Sequence, residues 1–127
     1  MGDAGNKTLS IVMIEDDIDL CEGWKDLFRI LEHELFCYQR AIEALADPIT
    51  INKSDLIITD YYLPDLNGIE FIHRVRKMRF NVPVILLTGS KEPSIMEAAT
   101  LVPACEVVHK PINIDELEKR ILSLCGS

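Results

Sequence analysis

The sequence predicts an α/β domain built around a parallel sheet with helices on both faces, a doubly wound (βα)5 three-layer sandwich. Two observations carry this. Five short apolar runs, at 9–14, 35–39, 55–59, 83–88 and 106–109, are close to continuous rather than alternating. That is the pattern of strands buried on both faces, which in α/β proteins means parallel strands. The segments between and after the runs carry apolar residues at helical spacing, so strand and helix alternate along the chain. With 127 residues the chain is one domain by length and can bury a real core.

Residues 9–14 are the first strand, and residues 18–32 the first helix, with Leu20, Trp24, Leu27, Phe28 and Leu31 on one face. The stretch from Leu35 to Gln39 is the second strand. Ala41 to Ala46 is a short helix expected to stop at Asp47-Pro48, because the residue before a proline is steered out of the helical region. Residues 55–59 are the third strand and Gly68 to Arg79 the next helix. Pro83 opens the fourth strand, a position where a missing N–H is tolerated. Residues 92–101 form a helix entered through Glu92-Pro93 and ended by Pro103. Residues 106–109 are the fifth strand and 114–124 the last helix, with Asn113 as N-cap, Glu116 completing an N-x-x-E capping box and Gly126 as stop. Residues 1–7 have no apolar core; they are expected to be a disordered tail, with one domain at 8–125 and no second domain in this chain.

The formal net charge is −8, from 13 basic and 21 acidic residues. Such a balance argues against nucleic-acid binding, which needs a basic surface, and suits metal ions and protein partners. Apolar stretches are strand-length, so no membrane span is expected. Cys21, Cys37, Cys105 and Cys125 lack the close spacing of a zinc or redox motif. Without an export signal they are expected to be small buried or half-buried thiols in a reducing cytoplasm.

The polar residues that end these strands suggest chemistry. Asp60 follows the third strand and precedes a loop rich in Pro, Asp, Asn and Gly. The first strand runs into Glu15-Asp16-Asp17, the fourth ends in Thr88, and the fifth runs into Lys110-Pro111. The carboxyl edge of a parallel sheet is where such folds place their sites. A carboxylate that takes up a phosphoryl group meets repulsion between two anions, which a divalent cation relieves. Mg²⁺ takes one or two carboxylates together with water and phosphate oxygens. Asp16 and Asp60 can supply these carboxylates, Glu15 can act through a water, and a backbone carbonyl just past Asp60 can complete the set. Lys110 would neutralise charge on the transferred group and the Thr88 hydroxyl would donate to it. Crowded acids also predict a metal-free protein under electrostatic strain, relieved by neutralising Asp16. Each residue has a plainer explanation alone: an acidic helix N-terminus for Glu15-Asp16-Asp17, a loop turn for Asp60. Their convergence on one sheet edge favours the site.

These residues resemble the receiver domains of two-component response regulators. The resemblance spans 8–125 and rests on Glu15-Asp16, on Asp60 with Leu63-Pro64 and Gly68, on Thr88-Gly89 and on Lys110-Pro111. It implies a flavodoxin-like, chemotaxis-regulator-like fold with strand order 2-1-3-4-5. It also implies that Asp60 receives phosphate from a histidine kinase or histidine phosphotransfer protein, that Mg²⁺ is required, and that the Tyr62 carbonyl is a metal ligand. The chain would then be a cytoplasmic phosphoacceptor rather than an enzyme proper, assisting its own phosphorylation and dephosphorylation. It would signal through a downstream protein partner, as a monomer or a phosphorylation-dependent dimer.

The sequence departs from the family where many receivers carry an aromatic residue three positions before the lysine. Here that position is Val107, and Ile112 is also aliphatic where an aromatic is common. His109 differs in strand parity from Val107 and is expected to be half-buried. Tyr62 and Ser90 are placed to shield an acyl phosphate from water. Ile95 and Met96 are expected to be partly exposed on a partner face, and Ile18, Leu20 and Cys21 to offer a surface for a helical bundle.

Rival readings are weaker. A flavodoxin-type carrier would not place acids where the flavin phosphate binds. A haloacid-dehalogenase-type phosphatase needs a second acid where Tyr62 stands, and a Toprim-like nuclease needs an Asp-x-Asp pair. Two alternatives stay open: an interaction module that keeps the fold and acts without phosphorylation, and a relay intermediate that passes phosphate to a histidine.

Overall fold

A computed structural model describes residues 8–125. The expected tail at 1–7 and the expected stop at Gly126 lie outside the described residues. The elements follow in the order β1 Ser10–Ile14, α1 Ile18–Ile30, β2 Glu34–Tyr38, α2 Ala41–Leu45, α3 Pro48–Lys53, β3 Leu56–Asp60, α4 Gly68–Lys77, β4 Val84–Thr88, α5 Pro93–Thr100, β5 Cys105–His109 and α6 Ile114–Cys125. The five strands form one parallel sheet of order β2-β1-β3-β4-β5. This is the three-layer α/β architecture expected from the alternation of runs.

Strand parity divides the core in two. Val12, Ile14, Ile57, Val84 and Leu86 face the layer that contains Phe71, Ile72 and Val75 of α4 and Ile95 of α5. Ile11, Met13, Leu56, Ile58, Ile85 and Leu87 face Phe28 of α1 and Leu117 and Ile121 of α6. β3 sits at the centre of the sheet with all five residues buried. A run buried on both faces can carry almost no polar side chain, so the carboxylate at its last position, Asp60, stands out as a group placed there against the local preference.

One helix was not expected. Asp47-Pro48 does end α2, but it also starts α3. Asp47 caps the new helix, its carboxylate accepting from the Thr50 N–H, and Pro48 occupies the first turn. A proline in the first turn loses no hydrogen bond, so the same ring that stops one helix can open the next. The Tyr38 hydroxyl donates to Asp47 at 2.7 Å and ties this corner to β2. Ile95 is buried rather than exposed, because it packs into the α4–α5 layer. Among the described residues no helix is long and apolar enough to cross a membrane. Asn113 caps α6, its side chain accepting from the Glu116 N–H at 3.1 Å.

Candidate functional site

The site is assembled by strand extensions. Past the end of β1, the Glu15 N–H donates to Tyr38 O at 2.9 Å; past β3, the Tyr61 N–H donates to Leu87 O at 2.9 Å; past β5, the Lys110 N–H donates to Thr88 O at 2.9 Å. Each chain therefore stays in sheet register for one more residue, and the polar side chains of four strand ends are brought to one edge. Glu15, Asp16 and Asp60 each present a carboxylate oxygen within 4.8 Å of the others. Lys110 Nζ lies 2.7 Å from Asp60 Oδ1.

The acidic run divides its labour. Asp17 is the N-cap of α1, accepting from the N–H groups of Asp19 and Leu20, which is the plain helix-start role. Glu15 and Asp16 belong to the cluster instead. Asp16 is exposed, while Glu15 and Asp60 are each only 5 % exposed. Burial, and then the charge of Asp60, push the Glu15 carboxyl up to about 7, although the Asp17 N–H donates to it and pulls the other way. Burial and the neighbouring Asp60 charge therefore place electrostatic strain on Glu15.

Thr88, 1 % exposed, ends β4, and its Oγ1 accepts from the Ser90 N–H at 3.0 Å, leaving its own proton available to another acceptor. Tyr62 is exposed, with its ring set edge-on against that of Tyr61 at 4.8 Å. His109, at the end of the edge strand β5, is exposed rather than half-buried. Val107 is half-buried.

The donor set suits a hard divalent cation. Three carboxylates converge, and the buried Asp60 Oδ1, although beside Lys110, has no well-directed hydrogen bond among the described groups. Three acidic side chains face one lysine, so a divalent cation would add positive charge that the cluster lacks. Asp16 and Asp60 would hold Mg²⁺, Glu15 would act through a water, and the Tyr62 carbonyl lies on the adjoining loop.

A pH dependence follows for the metal-free protein. A carboxyl whose folded pKa is raised from 4.5 to about 7 favours folding when protonated. Its contribution is present at low pH and is lost as pH rises through that window. With a chelator present, the melting temperature should decline from pH 5 to pH 8 more steeply in the wild type than in Glu15→Gln. The variant should melt about 5 °C higher at the upper end. Parallel curves would show that Glu15 does not carry the strain.

Two features had no usable signal in the sequence. Asp65, in the loop after β3, accepts from the Ala41 and Ile42 N–H groups at 3.2 and 2.8 Å and so caps α2 from a distance. Cys21 of α1 and Cys37 of β2 are joined by a disulfide, contrary to the expectation of separate thiols. Both pairings bring together residues far apart in the chain, which spacing rules cannot see.

Fold and site together define a receiver domain of two-component phosphorelay signalling. Residues 11–122 match the response regulator receiver domain family, and the chain belongs to it. It is 30% identical over 112 residues to the transcriptional regulatory protein CrdR of Helicobacter pylori, covering 87% of this chain and 52% of that protein. The chain thus spans about half the length of this curated relative. Two solved structures share the fold. One is the receiver domain of the sensor histidine kinase PA1611 from Pseudomonas aeruginosa, with a magnesium ion in its active-site cleft (TM-score 0.81, 22% identity, covering 95% of this chain and 100% of that one). The other is the receiver domain of the Saccharomyces cerevisiae response regulator Ssk1, in complex with the histidine phosphotransfer protein Ypd1 (TM-score 0.81, 21% identity, covering 93% and 89%).

Proposed function

We propose that Asp60 accepts a phosphoryl group from a phosphohistidine on a histidine kinase or histidine phosphotransfer protein, in a Mg²⁺-dependent reaction, and that the signal leaves through protein contacts. The observation that carries this reading is the buried Asp60 carboxylate at the end of the central strand, 2.7 Å from Lys110 and beside Glu15 and Asp16. In the transfer, a bond forms between an Asp60 carboxylate oxygen and phosphorus. The phosphorus–nitrogen bond breaks, and its electron pair returns to the donor's imidazole. Lys110 holds positive charge at the phosphoryl oxygens, and the Thr88 hydroxyl donates to one of them. Mg²⁺, when bound, supplies further neutralisation of the two anions. Positioning and preset charge do the work, as in other phosphoryl transfers. Tyr62 and Ser90, on the segments after β3 and β4, would shield the acyl phosphate from attacking water.

Residues 8–125 would form the receiver unit, working in the cytoplasm with any output domain on another segment or another protein. A relay role has its own support. Ile18 and Leu20 are 59% and 49% exposed at the start of α1, next to Asp16. That apolar patch suits a helical bundle carrying a histidine, whereas Cys21 is buried and contributes nothing to it. Docking through the α5–β5–α6 face would proceed without the aromatic ring that Val107 replaces.

Incubation with acetyl phosphate and Mg²⁺ should add one phosphoryl group, seen by intact mass, that survives acid and is lost in base. Peptide mapping should place it on the segment containing Asp60. No incorporation, or a label on another peptide, would overturn the reading.

A further inference from the structure

A sulfur pair stands behind the acidic loop. The disulfide between Cys21 and Cys37 spans Cα atoms 6.1 Å apart and ties α1 to the edge strand β2. These are the two walls that hold Glu15 and Asp16. On the β2 side, Tyr38 O accepts from the Glu15 N–H at 2.9 Å and Gln39 Nε2 donates to Asp16 O at 3.4 Å. On the α1 side, the Cys21 N–H donates to Asp17 O at 3.0 Å, and Cys21 Sγ lies 3.3 Å from Glu15 O. A thiol can donate its proton to that buried carbonyl, whereas a disulfide sulfur has none to give. The redox state of this pair therefore changes both the bonding at Glu15 and the mechanical link across the loop.

We infer that Cys21 and Cys37 form a reversible thiol–disulfide couple, oxidised by a hydroperoxide and reduced by a dithiol, that sets the divalent-cation affinity of the Glu15–Asp16–Asp60 cluster. This rests on the reading of that cluster as a cation site. Cys37 is half-buried and Cys21 almost fully buried, so Cys37 meets the oxidant first. With hydrogen peroxide, the Cys37 thiolate attacks one oxygen; the sulfur–oxygen bond forms, the oxygen–oxygen bond breaks, and protonated hydroxide leaves as water. The Cys21 sulfur then attacks the Cys37 sulfenic acid. The sulfur–sulfur bond forms, the sulfur–oxygen bond breaks, and a second water leaves. Two thiols are oxidised and one peroxide is reduced. In return, a dithiol opens the bond by two exchanges and is itself oxidised to a disulfide. Cys105 offers no competing route, since burial pushes its thiol up to about 11.

The direction follows from the geometry. The cross-linked form already has its three carboxylates within 4.8 Å, so a cation meets an ordered site and little freedom is lost on binding. Opening the disulfide unties the two walls and leaves a weak sulfur hydrogen bond in its place. Reduction should weaken Mg²⁺ binding about threefold to tenfold.

The test uses the wild-type chain in both states. Dithiothreitol under native conditions, followed by alkylation and peptide mapping, should label Cys21 and Cys37; peroxide should restore their cross-linked peptide. Calorimetric Mg²⁺ titration should then show tighter binding in the oxidised form. Cys37→Ser should bind as the reduced form does and ignore peroxide. A disulfide that native dithiothreitol does not open, a pair that peroxide does not rejoin, or equal Mg²⁺ affinity in both states would overturn this inference and leave the cation site standing. Absence of Mg²⁺ binding in either state would overturn both.

Discussion

Asp60→Asn is expected to lower incorporation from acetyl phosphate by at least ~100-fold while leaving the fold intact. The substitution keeps the shape of the side chain but removes the anionic nucleophile, and an uncharged amide does not form the acyl phosphate. It also removes one of the three converging acids and the partner of Lys110. The second cause raising the Glu15 pKa disappears with it. The loss of the Lys110 pair and the relief of Glu15 oppose each other, so the metal-free melting temperature should move by only a few degrees. Mass spectrometry over a time course gives the rate, and circular dichroism checks the fold. Labelling at the wild-type rate would place the acceptor on another residue.

Gly68→Ala should be the most damaging small change to stability. A Cβ on Gly68 would stand 2.5 Å from the Asp60 carbonyl oxygen, 2.7 Å from Leu86 Cδ1 and 3.1 Å from the Tyr61 Cα. Two of these neighbours are backbone atoms, which cannot swing aside as a side-chain end can. The Gly68 N–H also donates to Tyr61 O at 2.7 Å, so the loop cannot open without losing that bond. Overpacking of this kind costs about 3 kcal/mol, which for a domain of this size lowers the melting temperature by roughly 10 °C. The displaced atoms belong to Asp60 and Tyr61, so phosphorylation should slow as well. Gly23→Ala is the control. Nothing lies within 4 Å of a Cβ there, in the middle of α1. That change should stabilise by about 0.5–1 kcal/mol through helix propensity. Equal melting temperatures for wild type and Gly68→Ala would refute the close-approach argument.

The two glycines show why local and non-local information differ. Gly68 follows a loop and stands at a helix start, whereas Gly23 lies inside a helix, yet neither context along the chain shows what a Cβ would meet. The requirement at Gly68 arises because α4 starts against the end of β3, a contact set by the packing of the third layer.

The sequence by itself determined the architecture. Burial on both faces demands near-continuous apolar strands, and that demand is visible in 55–59 and 83–88 without any structure. It also marked Glu15, Asp16, Asp60, Thr88 and Lys110 as candidates, because polar residues directly after such runs must lie at the carboxyl edge. Helix ends were legible to within about two residues, as such boundaries usually are. The exception was α3, where one proline both ended and began a helix. Only the tertiary structure decided which member of the acidic run caps a helix and which faces the cluster, and that the buried acid is Glu15. It also revealed the capping of α2 by Asp65 and the pairing of Cys21 with Cys37. The reason is physical. Strand and helix periodicity are written in neighbouring residues, whereas solvation, charge crowding and sulfur contact depend on which distant segments the sheet order brings side by side.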